Sequence, residues 1–320
     1  MAQPFVISVV GPTASGKSAV ADSLALHECS CVISADSMQI YKGLDIGTAK
    51  TPLDQRQVPY YGIDITDPHH PYSVAQYQEY AREVIDSYLA QGKNPVLCGG
   101  TGLYVRAVLE DMRFPAGGQI DNAQREIWQH YLEMQGPEAL YQQLVERDPQ
   151  SASVLDGANT KRVIRALEMH ASGDSYYQQA LHFKERRPLY RVCSIGLSLP
   201  REVLYDRIVR RVDEMVEAGL VQEAQTLYEQ GIGQSYTAQH AIGYKELFEV
   251  FKGEISQDEA IEMIKQHSRQ YAKRQLTWFR RDETIQWIDG CDQGLDSLVN
   301  QALEIVEAYK RGESNEAQLR

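Results

Sequence analysis

The sequence predicts an α/β fold, a parallel-sheet core domain interrupted by an inserted all-helical domain. Three observations carry that expectation. Short apolar runs alternate with helical stretches up to Gly100, strand signals are scarce from about Gln119 to Arg187, and an alternating apolar run, YRVCSIGLSL, returns at 190–199. Strands separated by helices pair in parallel and form a sheet covered on both faces. For 320 residues, one large domain and a smaller one is the expected division. The core is assigned to 1–113 and 188–320, and the helical insert to 114–187.

Each element follows from its local pattern. Phe5 to Val10 reads as a strand, then come a Gly-containing loop and a helix carrying Val20, Leu24 and Leu26. Cys31 to Ser34 is a second strand, Val74 to Leu89 a helix, and Pro95 to Cys98 a third strand running into Gly99-Gly100. Gly136-Pro137, Asp148-Pro149 and Gly173 punctuate the insert. After the returning strand, a helix from about Arg201 to Ala218 carries a core stripe of Leu204, Ile208, Val212 and Met215. Ser256 to Glu259 is a capping-box pattern opening a long helix to Arg280. A strand at Thr284 to Ile288 and a helix at Leu295 to Tyr309 close the chain, and the tail from Gly312 is expected to fray.

The hydrophobic share of 43%, charged share of 24% and mean hydropathy of -0.43 are those of an ordered globular protein. No apolar run reaches the roughly 18 residues that span a bilayer, and the first residues lack the basic start of a signal peptide, so a cytoplasmic protein without membrane contact is expected. Five cysteines form no C-x-x-C pair and read as reduced. The net charge of -12 counts against nucleic-acid binding, yet six basic residues and no acid lie between Lys265 and Arg281. A local basic stripe survives on an acidic chain. Within it, Tyr271 and Trp278 read as core rather than as base-stacking aromatics. His69 and His70, flanked by prolines, read as a turn rather than a metal site.

Gly11-Pro12-Thr13-Ala14-Ser15-Gly16-Lys17-Ser18 matches G-x-x-x-x-G-K-[ST] between a strand and a helix. This makes the core a P-loop domain. Its glycines turn successive backbone N–H groups inward, the helix N-terminus adds positive potential, and Lys17 adds a charge, a cradle for two linked phosphates. Ser18 is the residue placed to put a hydroxyl on Mg²⁺. The third strand ends in Cys98-Gly99-Gly100-Thr101, without the acid a hydrolytic NTPase would carry there. Group transfer is favoured over a motor or a switch. Asp36 follows the second strand at the sheet edge where open α/β folds bind ligands. It is either a turn residue or a base that activates an acceptor. Gln39 has an amide able to bond an adenine edge.

Six motifs in order, GPTASGKS, SADSMQIYKGLDIGTAK, GGTGLY, NTKRVIRALEM, HAIGYKE and AKRQLTWFR, resemble those of the bacterial tRNA dimethylallyltransferases, also called tRNA isopentenyltransferases. The resemblance runs from about residue 5 to 288. It implies transfer of a dimethylallyl group from its diphosphate to N6 of the adenosine just 3′ of the anticodon, in tRNAs reading codons that begin with U. Asp36 matches the family's base, Thr101 a residue near the amine and the diphosphate, Arg211 an arginine on the diphosphate, and Thr13 a donor contact. Arg207 and Arg210 read as surface. The same resemblance assigns RNA contacts to Asp36, Ser37, Met38, Gln39, Gly102 and Arg125. It adds Thr160, Lys161, Arg162, Val163 and Ile164 in an insert that closes over the anticodon stem-loop, and His240, Ala241, Ile242, Gly243, Tyr244 and Lys245. The expected partners are dimethylallyl diphosphate, Mg²⁺ and tRNA, acting on a monomer. A small-molecule kinase, a nucleotide-gated RNA-binding module and a prenyltransferase of free adenine nucleotides are the rival readings.

Overall fold

The computed structural model describes residues 3–114, 123–290 and 294–313. In chain order its elements begin β1 (Val6–Val10), α1 (Lys17–His27), β2 (Val32–Ser34), β3 (Tyr60–Tyr61), α2 (Val74–Ala90), β4 (Val96–Gly99) and α3 (Gly102–Leu109). The next stretch contains α4 (Ala123–Arg147), α5 (Pro149–Ala152), α6 (Thr160–Ala171) and α7 (Tyr176–Lys184). The chain then returns through β5 (Val192–Ser198), α8 (Arg201–Glu217), α9 (Leu220–Glu229), α10 (Tyr244–Phe251), α11 (Gln257–Phe279), β6 (Gln286–Asp289) and α12 (Leu295–Arg311). Gln119, Cys291 and the tail from 314 lie outside the described residues.

All the strand pairs are parallel, in the order β3-β2-β4-β1-β5-β6. The expected α/β core is the observed one. Apart from the seven-residue β5, its strands are too short to show a face pattern in the sequence, but burial separates the faces. Val6 and Val10 pack with Tyr77, Ala81 and Ile85 of α2 and with Tyr104 and Val108 of α3. Ile7 and Val9 pack with Val20 and Leu24 of α1 and with Leu298, Ala302 and Val306 of α12. Leu26, expected on the same helix, is instead 51% exposed, because it falls on the far side of α1 from Val20 and Leu24. β3, a two-residue strand, was not expected; its Tyr60 and Tyr61 pair with Val32 and Ile33.

The ends of several helices are fixed by the capping chemistry their sequences carry. Ser73 and Ser256 each accept a hydrogen bond from the third helical N–H, while Gln76 and Glu259 reach back to the cap. His69 and His70 do form a turn, their N–H groups donating to Asp67.

The chain divides into two compact units, Met1–Leu109 with Tyr190–Arg320, and Glu110–Leu189. The ends of the second unit are joined by an antiparallel bridge between Glu110 and Pro188 and by the Asp111 N–H on the Arg187 carbonyl at 2.8 Å, which carries it outward of 114 and 187. Within it, α4 breaks at Gly136, whose φ of 82° is left-handed, ahead of Pro137. Asp148 caps α5 with Pro149 at its first position, and Asn159 caps α6. Trp128, Leu140, Leu144, Val163, Ile164 and Leu167 form this unit's own core. Glu168, 2% exposed, lies in it under Arg125 and Arg165. Among the described residues no helix is long and apolar enough to cross a membrane.

Candidate active site

The phosphate loop leaves β1 and turns back into α1. A side chain at Gly11 would put its Cβ 2.8 Å from the Leu197 carbonyl of β5, so only glycine lets the loop start here. Ala14 at φ 63° and Gly16 at φ 90° are both left-handed. Left-handed residues spaced through a turn point backbone N–H groups into one concavity, the form of an anion nest. The Ser15 hydroxyl is buried in the loop with no hydrogen-bond partner. A bound phosphate oxygen would supply one, so the loop fits the group its sequence implies.

Two cations meet at this loop. Lys17 opens α1, its Nζ 3.3 Å from the Pro12 carbonyl. Arg211 of α8 donates from Nη1 to the Thr13 hydroxyl at 3.1 Å. Burial lowers the pKa of Lys17; Cys98 acts against that shift, Arg211 adds to it, and Asp36 opposes it. Burial also lowers Arg211, opposed by Asp36 and Glu214. Two desolvated cations share Asp36, with Glu214 acting on Arg211 alone, and burial still outweighs these carboxylates, a setting that favours a bound diphosphate.

Asp36 is brought to the loop by the joined ends of β2 and β4. The Ala35 N–H bonds the Cys98 carbonyl at 2.7 Å, and the Thr101 N–H bonds the Ala35 carbonyl at 3.1 Å. Gly99 is required there, since a Cβ would lie 2.2 Å from the Ala35 oxygen. Asp36 Oδ1 accepts the Met38 N–H at 2.9 Å, closing a turn. The turn role and the place in the site are therefore both realised, each through the same carboxylate. Thr101 stands behind the adjoining wall, where Oγ1 accepts the Ser37 N–H at 3.1 Å and donates to Ser37 Oγ at 3.3 Å.

These groups border a cavity of about 470 Å³, lined by Thr13, Lys17, Ser18, Asp36, Gln39 and Arg211 among others. Ile208, Val212, Met215 and Ile264 also line it. Sequence periodicity placed the first three in a core stripe, and Ile208 and Val212 are indeed buried in core clusters with Met215 packed against one; the same face of α8 also borders the cleft. The Ser18 hydroxyl is an oxygen donor of the type Mg²⁺ takes and lines the cavity, so the site fits that ion.

The segment after Asp36 is held from a distance. Glu223 of α9 accepts the N–H groups of Asp45, Ile46 and Gly47 and the Tyr244 hydroxyl. Lys50, with only 4% of its side chain exposed, ties the Tyr41 carbonyl to Asp45 and Asp64. His240, Lys245 and His267 line the same cavity, and His267 Nδ1 lies 2.6 Å from buried Glu246. Lys50 and Glu246 fall within the motifs SADSMQIYKGLDIGTAK and HAIGYKE, but their burial does not show in the sequence, while Glu223 holds a residue 177 positions away along the chain.

Several residues assigned to RNA have other roles here. Val163 and Ile164 are in the core of their unit, leaving Thr160, Lys161 and Arg162 at the start of α6 as the accessible part of that motif. Arg125 has Nε and Nη2 on Glu168. Ala241 and Tyr244 are buried, and the Tyr244 hydroxyl is engaged by Glu223 and the Gly47 N–H. Gln39 accepts from the Ser34 hydroxyl at 2.8 Å and donates to the Thr48 carbonyl at 3.0 Å, so its amide is already oriented. Gly102 lies under the Trp278 indole, 2.1 Å from where a Cβ would stand. Trp278 is 37% exposed and Tyr271 lines the cavity, so neither aromatic belongs to the core.

The family model described as IPP transferase matches residues 39–282, and that described as Isopentenyl transferase matches residues 4–66. The chain belongs to the IPP transferase family. A relative from Anoxybacillus flavithermus, named tRNA dimethylallyltransferase, is 42% identical over 97% of this chain and 98% of its own. The crystal structure of a tRNA isopentenylpyrophosphate transferase from Staphylococcus epidermidis superposes with a TM-score of 0.70 at 37% identity, covering 96% of this chain and 99% of that one. A eukaryotic dimethylallyltransferase described as acting on tRNA gives 0.80 at 28% identity, over 97% and 80%. Family members are prenyltransferases, and this chain is an enzyme of that class.

Proposed function

We propose that this enzyme transfers the dimethylallyl group of dimethylallyl diphosphate to N6 of the adenosine 3′-adjacent to the anticodon, in tRNAs reading U-starting codons. The observation that carries the reading is a single cavity bordered by a phosphate loop with two buried cations, by a carboxylate, and by apolar side chains. A diphosphate needs the first, an amine that must lose a proton needs the second, and a five-carbon hydrocarbon fits the third.

In the reaction the C–O bond between the allyl carbon and the diphosphate breaks, and the C–N bond to N6 forms. The exocyclic amine is a weak nucleophile, since its lone pair is delocalised into the ring. Asp36 takes the proton released as the new bond forms. Lys17, Arg211 and the loop N–H groups stabilise the charge that collects on the leaving diphosphate. Thr13, clamped by Arg211, fixes the loop around it. Ser18 would hold Mg²⁺, which when bound neutralises diphosphate charge. Gly11 to Ser18 form the donor site in this reading, with Asp36 and Arg211 at the reacting groups and Thr101 positioning Ser37 from behind the wall.

The RNA contacts in this reading are Asp36 to Gln39, Gly102 and His240 to Lys245 in the one unit and, taken by itself, the start of α6 at Thr160 to Arg162 in the other. Arg125 supports that helix through Glu168. The described cysteines, Cys29, Cys31, Cys98 and Cys193, are free thiols, in keeping with a reducing compartment such as the cytoplasm. The test is mass spectrometry of tRNA after incubation with enzyme, Mg²⁺ and dimethylallyl diphosphate. One C5H8 unit added per tRNA, located next to the anticodon, is the expected result. Unmodified tRNA, or addition only to free AMP or ADP, would overturn the reading.

A further inference from the structure

Gln275 lies on α11 within the basic stripe and is 4% exposed. Its Oε1 accepts the Thr13 N–H at 2.9 Å, and its Nε2 donates to the Gly100 carbonyl at 3.0 Å. A backbone N–H is only a donor and a carbonyl only an acceptor, so the orientation of this amide is forced by its partners. The approach is close enough that a Cβ on Gly100 would fall 2.0 Å from Nε2. Gly100 immediately precedes Thr101, and Thr13 is held on its other side by Arg211. One turn earlier on the same face of α11, Tyr271 faces Thr101 and Gln275.

We propose that Gln275 is a positioning residue for the transfer: it spaces the donor's phosphate loop from the Thr101 turn so that allyl carbon and amine meet in reactive geometry. The inference rests on the transfer reading above. Only a group that donates and accepts from adjacent atoms on a planar end can span the two partners. Lysine and arginine cannot accept, a carboxylate cannot donate, and asparagine is one methylene too short to keep both bonds from the same helix position. A protonated glutamic acid can do both, with the shape of glutamine. It therefore restores the bracket where an ionised glutamate breaks it, by setting a negative charge against the Gly100 carbonyl.

The experiment measures single-turnover prenylation by wild type, Gln275→Met and Gln275→Glu at saturating tRNA, Mg²⁺ and dimethylallyl diphosphate across a pH series. Each variant is expressed as a ratio to wild type at the same pH, which cancels titration of the shared general base. Gln275→Met removes both bonds at similar volume. Its rate is expected to fall about 10²-fold, the scale of a misplacement near 1 Å, with tRNA affinity within about threefold of wild type. The Gln275→Glu ratio is expected to rise as pH falls through the pKa of the new carboxyl, which burial pushes above its ordinary range. A purely structural role would give no such recovery. A flat Gln275→Glu ratio, or a Gln275→Met rate within threefold of wild type, overturns the proposal. If Gln275→Met does not fold by circular dichroism, the Gln275→Glu ratio decides alone. Failure of the wild type to modify tRNA would overturn the transfer reading instead.

Discussion

Replacing Asp36 by asparagine removes the base while leaving the turn that carries it. Asp36 Oδ1 accepts the Met38 N–H at 2.9 Å, and an asparagine oxygen can accept the same bond. The roughly 1 kcal/mol such a bond contributes is retained. What is lost is proton acceptance, worth typically 10²–10⁴-fold, or about 3–5 kcal/mol of barrier at roughly 1.4 kcal/mol per decade. The electrostatic sign differs for the donor. Asp36 is one of the groups that favour the charged forms of Lys17 and Arg211, so removing it frees those cations from an internal competitor. Donor affinity should therefore hold or tighten by a few fold as the chemical step collapses. Asp36→Ala should lose rate equally and weaken tRNA binding as well, because the segment from Ser37 to Gln39 loses the one of its anchors that holds the Met38 N–H. The assay is rapid-quench single turnover with labelled donor, alongside equilibrium binding of donor and of tRNA. An asparagine variant with a rate within threefold of wild type would refute the assignment, as would donor affinity weakened 100-fold.

Three more outcomes follow from the same geometry. Donor binding should be constant at low pH and decline as pH rises through the lowered pKa of Lys17, because the protonated lysine is the binding form; calorimetry in buffers of different ionisation enthalpy should show proton uptake there, and its absence would place the lysine's charge elsewhere. Lys161→Glu with Arg162→Glu should leave donor affinity unchanged and make log tRNA affinity against log salt shallower by roughly 1.4–1.8, two contacts at about 0.7–0.9 each; an unchanged slope would remove this surface from the interface. Arg125→Ala should destabilise the helical unit by about 3 kcal/mol, since it leaves Glu168 buried beside Arg165 alone. That loss is readable by urea unfolding through Trp128, and lost tRNA affinity with an unchanged midpoint would make Arg125 a direct RNA contact.

What the sequence disclosed was whatever neighbouring residues decide. The phosphate loop, the Ser256 capping box and the alternation of strand and helix are local, and the positions of Lys17, Asp36 and Gly99-Gly100 at strand ends follow from them. The cleft's supports were hidden because they span the chain: Gln275 is 262 residues from Thr13, and Glu223 is 177 from Ile46. Nothing in a window of sequence marks one glutamine on a polar helix as buried. Periodicity likewise told which side of α8 is apolar but not that part of this side borders a cavity, and it could not see a strand as short as Tyr60–Tyr61. The order of motifs was informative beyond the first of them, since the phosphate loop and the acid after the second strand are by themselves compatible with a kinase.

The position of β1 between β4 and β5 bears on synthesis. As the chain emerges from the ribosome, β1 can pair with β4 early, but its other edge must wait for β5, which lies beyond the whole stretch Glu110–Leu189. At about 5–20 residues per second, that interval is on the order of several seconds. Throughout it a strand of five apolar or small residues, VISVV, offers unpaired backbone groups to any passing chain. Quick autonomous folding of the helical unit around Trp128, Leu140 and Leu167 would bring the ends of that stretch together and shorten the search for the missing partner. Weakening that unit should thus lower the yield of folded enzyme during translation more than it lowers the stability of enzyme already made.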